Sequence, residues 1–183
     1  MDSEQKLETF PAASVKEKNI DQSSQYFLTN IGLPGWCAPH LCFGPFEEIY
    51  LPLLVEWPWK EDWEKSHKIA IQSYSNVYVI GSAQENEPIV IKPSNPEVYI
   101  FSPCGTQLFL LNTNLNNKLL ESINLYAKMV ELAIKTNRNA FIDGEIPLIL
   151  LNKFVKSFTG LEPDIKTQSS VWLNWAYAKC KNA

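Results

Sequence analysis

Between Val77 and Thr136 the chain repeats one pattern four times and then changes period. The apolar runs Val77-Tyr-Val-Ile-Gly81, Ile89-Val-Ile91, Val98-Tyr-Ile-Phe101 and Leu108-Phe-Leu-Leu111 are separated by polar or proline-rich reversals. These contain Gly81-Ser82, Glu85-Asn-Glu-Pro88, Pro93-Ser-Asn-Pro96 and Pro103-Cys-Gly105. A spacing of about ten residues per run predicts antiparallel neighbouring strands. Beyond Asn112-Thr-Asn114, the residues Leu115, Leu119, Ile123, Tyr126, Val130 and Ile134 recur at steps of three or four. That is the apolar stripe of a helix laid on a sheet. Thr113 or Asn114 is expected to cap it, which accounts for the polar triplet without a functional site. A strand meander ending on a long amphipathic helix restricts the chain to an α+β module.

The 183 residues correspond to one domain, 1–183. That length buries roughly two thirds of the unfolded surface, so neither disulfide nor metal is needed for stability. Four scattered cysteines, Cys37, Cys42, Cys104 and Cys180, are expected to be reduced thiols. A net charge of −4 argues against a general nucleic-acid binder, which needs a basic footprint. No apolar run approaches the roughly 18 residues needed to span a bilayer. The first residues lack the basic start and apolar centre of a secretory signal, so a cytoplasmic protein is expected. Residues 1–18 are polar, with Phe10 and Val15 as the clear anchors, and are expected to be a loosely held lead-in.

The remaining elements follow from local signals. Asn19 or Asp21 can cap a helix running to Asn30 that carries Tyr26, Phe27 and Ile31 on one side. Gly32 suits its left-handed C-terminal position and Pro34 stops it. Glu47-Glu-Ile-Tyr-Leu51 and residues 69–72 read as strands, and residues 60–67 as a helical turn. Helices are predicted at about 145–158, with Pro147 in the first turn, and at 170–181, capped by Ser169 or Ser170.

Catalytic and metal-binding patterns are sparse. Cys37-Ala-Pro-His40-Leu-Cys42 collects three metal-capable side chains, but a zinc site wants closer cysteine pairs and a second pair of ligands. Semi-buried thiols flanking a loop are the preferred reading, and no cofactor is expected. A nucleophilic Cys104 or Cys37 needs a neighbouring base, and His40 and His67 are the only histidines. Asp143-Gly-Glu145 is read as acids at a helix start, where the dipole favours them.

The unusual segment is 44–65. Of the chain's 20 acidic and 16 basic residues, Glu47, Glu48, Glu56, Glu61, Asp62 and Glu64 lie here against only Lys60 and Lys65. That leaves 14 of each elsewhere, so the whole net charge belongs to this stretch. Trp57, Trp59 and Trp63 lie among the acids, with Trp36 shortly before them. Tryptophans dominate interface hot spots, and acids around them attract a basic partner. The expected partner-binding residues are Glu47, Glu48, Glu56, Trp57, Trp59, Glu61, Asp62, Trp63 and Glu64. The competing reading is a loop whose tryptophans plug the core and whose acids are merely solvated.

Four stretches carry a family resemblance: Phe27-Leu-Thr-Asn-Ile-Gly-Leu-Pro34, Tyr78-Val-Ile-Gly81, Val98-Tyr-Ile-Phe101, and Leu111-Asn-Thr-Asn-Leu115 leading into the long helix. Together they resemble the SUKH superfamily, specifically its fourth subgroup of bacterial immunity proteins. The likeness spans about residues 20–136. The chain departs from the pattern at Pro93-Ser-Asn-Pro96, which replaces a glycine-rich turn, and in residues 37–66. The resemblance implies a curved, mostly antiparallel sheet with helices packed against it. It also implies a non-enzymatic role, neutralising a polymorphic toxin domain, often a nuclease, by direct binding. A general interaction module of the same fold, or a small thiol-dependent enzyme, are the alternatives.

Overall fold

The computed structural model describes residues 7–44, 50–57, 71–83, 86–102 and 107–180. Its frame is a six-stranded antiparallel sheet in which every strand pairs with its sequence neighbour. The strands are β3 (Trp36–Cys37), β4 (Leu41–Phe43), β5 (Tyr78–Ser82), β6 (Pro88–Ile91), β7 (Val98–Ser102) and β8 (Gln107–Asn112). The last four are the runs singled out in the sequence. A separate two-stranded ladder joins β1 (Leu7–Glu8) to β2 (Leu33–Pro34).

The runs are continuously apolar because the sheet is covered on both faces. One face carries Tyr78, Ile80, Ile89, Ile91, Val98, Ile100 and Leu111 into the main core. The other carries Val79, Val90 and Phe101 into a smaller cluster with Leu54, Trp57, Ile71 and Val77. Register explains the division. Tyr78 lies opposite Ile91, and Val79 opposite Val90, so each pair shares a face. Register shifts next to Gly81 and at Val98/Tyr99 bend the ladder, as β-bulges do.

Gly81 lies opposite Phe43 on β4. A Cβ there would stand 2.5 Å from the Cys42 carbonyl oxygen and 2.6 Å from the Phe43 ring. Backbone cannot yield as a flexible side chain can. Gly81→Ala is therefore expected to cost about 1–3 kcal/mol by overpacking, read as a lowered thermal midpoint. An unchanged midpoint would mean that β4 is not held this closely.

Five helices complete the described fold: α1 (Ala12–Lys16), α2 (Gln22–Tyr26), α3 (Asn117–Thr136), α4 (Leu148–Leu161) and α5 (Val171–Ala178). Asp21 caps α2 by accepting from the Ser24 N–H at 3.0 Å. The chain continues past α2 as a π-helical turn, Phe27–Ile31, which ends on Gly32 at φ +85°. On α3 the buried apolar residues are Leu119, Ile123, Tyr126, Met129 and Ala133, while Ile134 is exposed. The stripe drifts because its steps of four, four, three, four and four exceed the 3.6 residues of a helical turn on average.

Several expectations are corrected. Residues 7–18 are built into the fold rather than loosely held, with Phe10 and Val15 fully buried and β1 paired to β2. Tyr26 and Ile31 face solvent while Phe27 is buried, so the three do not share a side. Residues 71–72 are helical, not strand. The helix expected at 145–158 is α4, beginning at Leu148 behind Pro147. Asp143 precedes it in a turn and Glu145 in an isolated bridge to Cys180, where Glu145 accepts from Asn137 Nδ2 at 3.1 Å instead of capping a helix. The proposed strand and turn at residues 47–49 and 60–67 lie outside the described residues.

Candidate functional site

Of the nine acidic and aromatic residues expected at an interface, the described residues include Glu56 and Trp57. Glu47, Glu48, Trp59, Glu61, Asp62, Trp63 and Glu64 lie outside them. A short 3₁₀ turn, Leu54–Glu56, places the two side chains on opposite sides. Glu56 is exposed and its carboxylate accepts from the Leu53 N–H at 2.8 Å, closing the turn. Trp57 is 5% exposed and packs in the smaller cluster beneath the sheet. Its ring is therefore core, not a surface anchor, because Val77, Val79 and Phe101 offer it an apolar bed. Among the described residues the exposed tryptophan is Trp36, 64% exposed on β3, a residue whose face could not be read without the strand register.

The cysteine-histidine stretch forms the β3–β4 hairpin. Cys37 pairs with Leu41 and Trp36 with Cys42, so Cys37 points into the core while Cys42 points out with Trp36. Alternation along a strand thus sends the two thiols to opposite faces. His40, in the turn at φ +93°, is exposed beside the Phe141 ring. Burial, with the neighbouring Cys42 thiol adding to it, pushes the Cys37 thiol up to about 12. Its thiolate is negligible at neutral pH, and the thiolate is the nucleophile. Among the described residues no three His, Cys, Asp or Glu side chains gather as a metal site. Cys104 and His67 lie outside the described residues.

The densest polar cluster is one the sequence reading assigned to helix capping. Asn112, Thr113, Lys118, Ser122, Glu162 and Trp172 form a continuous network where β8 enters α3. Asn112 Nδ2 donates to Glu162 Oε1 at 2.9 Å and to Ser122 Oγ at 2.8 Å. Trp172 Nε1 donates to Asn112 Oδ1 at 3.0 Å. Thr113 donates to the same carboxylate twice, through its N–H at 3.1 Å and its hydroxyl at 2.6 Å. Lys118 Nζ completes the set at 3.2 Å. Asn112, Ser122, Glu162 and Trp172 are fully buried. Thr113 does not cap α3, whose start at Asn116 has no side-chain cap. Asn114 contributes instead by accepting from the Asn116 N–H at 2.8 Å. The carboxylate has both oxygens engaged, so it fastens the sheet to α3, α4 and α5 and leaves no atom for a substrate.

Two open clefts lie on the described surface. One, about 590 Å³, runs between α2 with its π turn and Asn116, lined by Gln22, Ser23, Tyr26, Phe27 and Ile31. The other, about 500 Å³, lies between α3 and α4 and includes Glu121, Lys128 and Leu161. Neither is lined by a cysteine or a histidine. No helix among the described residues is long and apolar enough to cross a membrane. No protein-family model matches the chain, and neither a curated protein nor a solved structure matches it.

Proposed function

We propose that the chain is a non-enzymatic immunity protein of the SUKH type that neutralises a toxin domain by direct, stoichiometric binding. The observation that carries this reading is the segregation of charge. The whole net charge of the protein sits in residues 44–65, among three tryptophans. Such a surface suits capture of a basic cleft, as in a nuclease that must hold a phosphate backbone. Support comes also from the fold, an antiparallel meander followed by covering helices in the order the resemblance implies. The buried, protonated thiol of Cys37 makes it a poor nucleophile, which weighs against a thiol enzyme built on that cysteine.

Trp57 is removed from the docking surface, because it is core. Trp36, exposed on β3, is offered as an anchor in its place. The test begins with co-purification from the native host and identification of the bound protein. Charge reversal of Glu56, Glu61, Asp62 and Glu64 to lysine is then expected to slow association with that protein about tenfold or more and to flatten its salt dependence. An association rate indifferent to all four reversals would rule this surface out.

A further inference from the structure

Residues 138–183 carry Arg138 and five lysines against four acids, while residues 1–137 carry ten bases against sixteen acids. One of those four acids, Glu162, is fully buried and bonded to Lys118, so it presents no charge outward. Arg138, Lys153, Lys156 and Lys166 are exposed. The same stretch bears four exposed large apolar side chains: Ile142 at 78%, Ile149 at 65%, Leu148 at 47% and Tyr177 at 40%. The backbone draws their segments together. The Ile146 N–H donates to the Lys179 carbonyl at 2.9 Å, and Glu145 bridges to Cys180, so the turn before α4 lies along the end of α5. Lys179 Nζ stands over the Phe141 ring, 4.8 Å from its centroid. On α4, Ile149, Lys153 and Lys156 follow at steps of four and three as one exposed stripe, while Leu151, Phe154 and Phe158 face the core. Asp143 and Glu145 lie close to Ile142 in the chain and make this end of the molecule mildly rather than strongly basic.

The residue types select the occupant. Protein interfaces concentrate tryptophan, tyrosine and arginine at their centres and are depleted in lysine. Here five of the six cations are lysines, and three of the four exposed apolar side chains are isoleucine or leucine. Exposed aliphatic side chains, lysines on the following turns and an aromatic beside them are the pattern of a helix that lies in a lipid headgroup layer. The lysine stems extend along apolar surface while their ammonium groups reach the phosphates. We propose that the first turn of α4, with Ile142 and Tyr177, docks on an anionic bilayer surface. Only side-chain tips enter the lipid, so no spanning helix is required. The charge of this end is opposite in sign to that of the bilayer, although the protein as a whole is negative.

Co-sedimentation of the full chain with lipid vesicles tests this. Vesicles of phosphatidylcholine with about one third phosphatidylglycerol present an anionic surface, and phosphatidylcholine alone a neutral one. The wild-type chain should pellet with the anionic vesicles, and the bound fraction should fall as salt rises from about 0.05 M to about 0.5 M. Ile149→Ser, and separately Lys153→Glu with Lys156→Glu, should each weaken this partition about tenfold or more with an unchanged circular dichroism spectrum. Tyr26→Ser, at a 61% exposed site on α2, should leave it intact. A wild-type chain that stays in the supernatant overturns the proposal, and its retention on immobilised polyglutamate would then assign the face to an acidic protein. Equal binding to neutral vesicles, or binding that survives both sets of substitutions, overturns it as well.

Discussion

Glu162→Ala is expected to destabilise the protein by about 3–5 kcal/mol, and Glu162→Gln by about 1–2 kcal/mol. The side chain is fully buried, and its two oxygens accept from Asn112, Thr113 and Lys118. Removing it breaks a charge pair buried on the carboxylate side and strands donors away from water. The Thr113 N–H loses a bond, the Asn112 amide loses one of its acceptors, and the Lys118 ammonium loses its countercharge. Lys118 is the lesser problem, because its side chain is 32% exposed and can turn to solvent. The backbone N–H of Thr113 has no such freedom. Glutamine keeps the shape and one acceptor oxygen for Asn112 and the Thr113 N–H; its amide nitrogen can only donate, so the Thr113 hydroxyl must turn to accept and Lys118 must turn to solvent. Urea unfolding at constant m value reads both numbers. A Glu162→Ala protein as stable as wild type would show that the network is not structural. A more stable one would mark the carboxylate as retained for function at a cost in stability.

The long-range character of that network explains why it was not legible. The strands and helices announce themselves locally. Val77-Tyr-Val-Ile-Gly81 and its three successors are bounded by Gly, Pro and Asn, and each is a strand. Ser170 accepts from the Leu173 N–H at 3.2 Å, as a cap before an apolar helix should. Asn112 and Thr113 precede a helix and read equally well as its cap. Their true partner lies at Glu162, and nothing in the intervening chain points there. One clue was present. An asparagine that continues an apolar strand enters the core with its amide, and a buried amide demands partners. The β3–β4 hairpin was obscured differently. Its strands are two and three residues long, and its Cys-His-Cys spacing invited a metal reading. Tryptophan exposure was undecidable from composition, since Trp36 and Trp57 differ only in the face their backbone turns outward. The double-sided burial of the sheet was, however, written in the runs themselves. A strand solvated on one face alternates, and Pro88-Ile-Val-Ile91 does not.

Trp172 joins the same network to the aromatic core, and its removal carries the second large effect. Trp172→Ala is expected to cost about 3–5 kcal/mol, with a cavity as the main cause. The indole is fully buried on α5, 5.7 Å from the Tyr126 ring and edge-on to Trp175 at 5.4 Å. Tyr126 in turn stands edge-on to Phe154 at 5.5 Å, so one ring holds α5 against both α3 and α4. Trp172→Phe keeps most of the volume and isolates the polar contribution. It leaves Asn112 Oδ1 without the indole N–H, a loss of about 1–3 kcal/mol for a buried acceptor. The two predictions are linked because Asn112 bonds Trp172 through its carbonyl and Glu162 through its amide. Once the indole is gone, the asparagine can rotate away from the carboxylate, and Glu162→Gln then removes a bond already weakened. A double-mutant cycle of Trp172→Phe with Glu162→Gln should therefore show a coupling of about 0.5 kcal/mol or more, where distant independent sites add. Strict additivity would mean that the asparagine is clamped by Ser122 alone and that the network is two separate contacts.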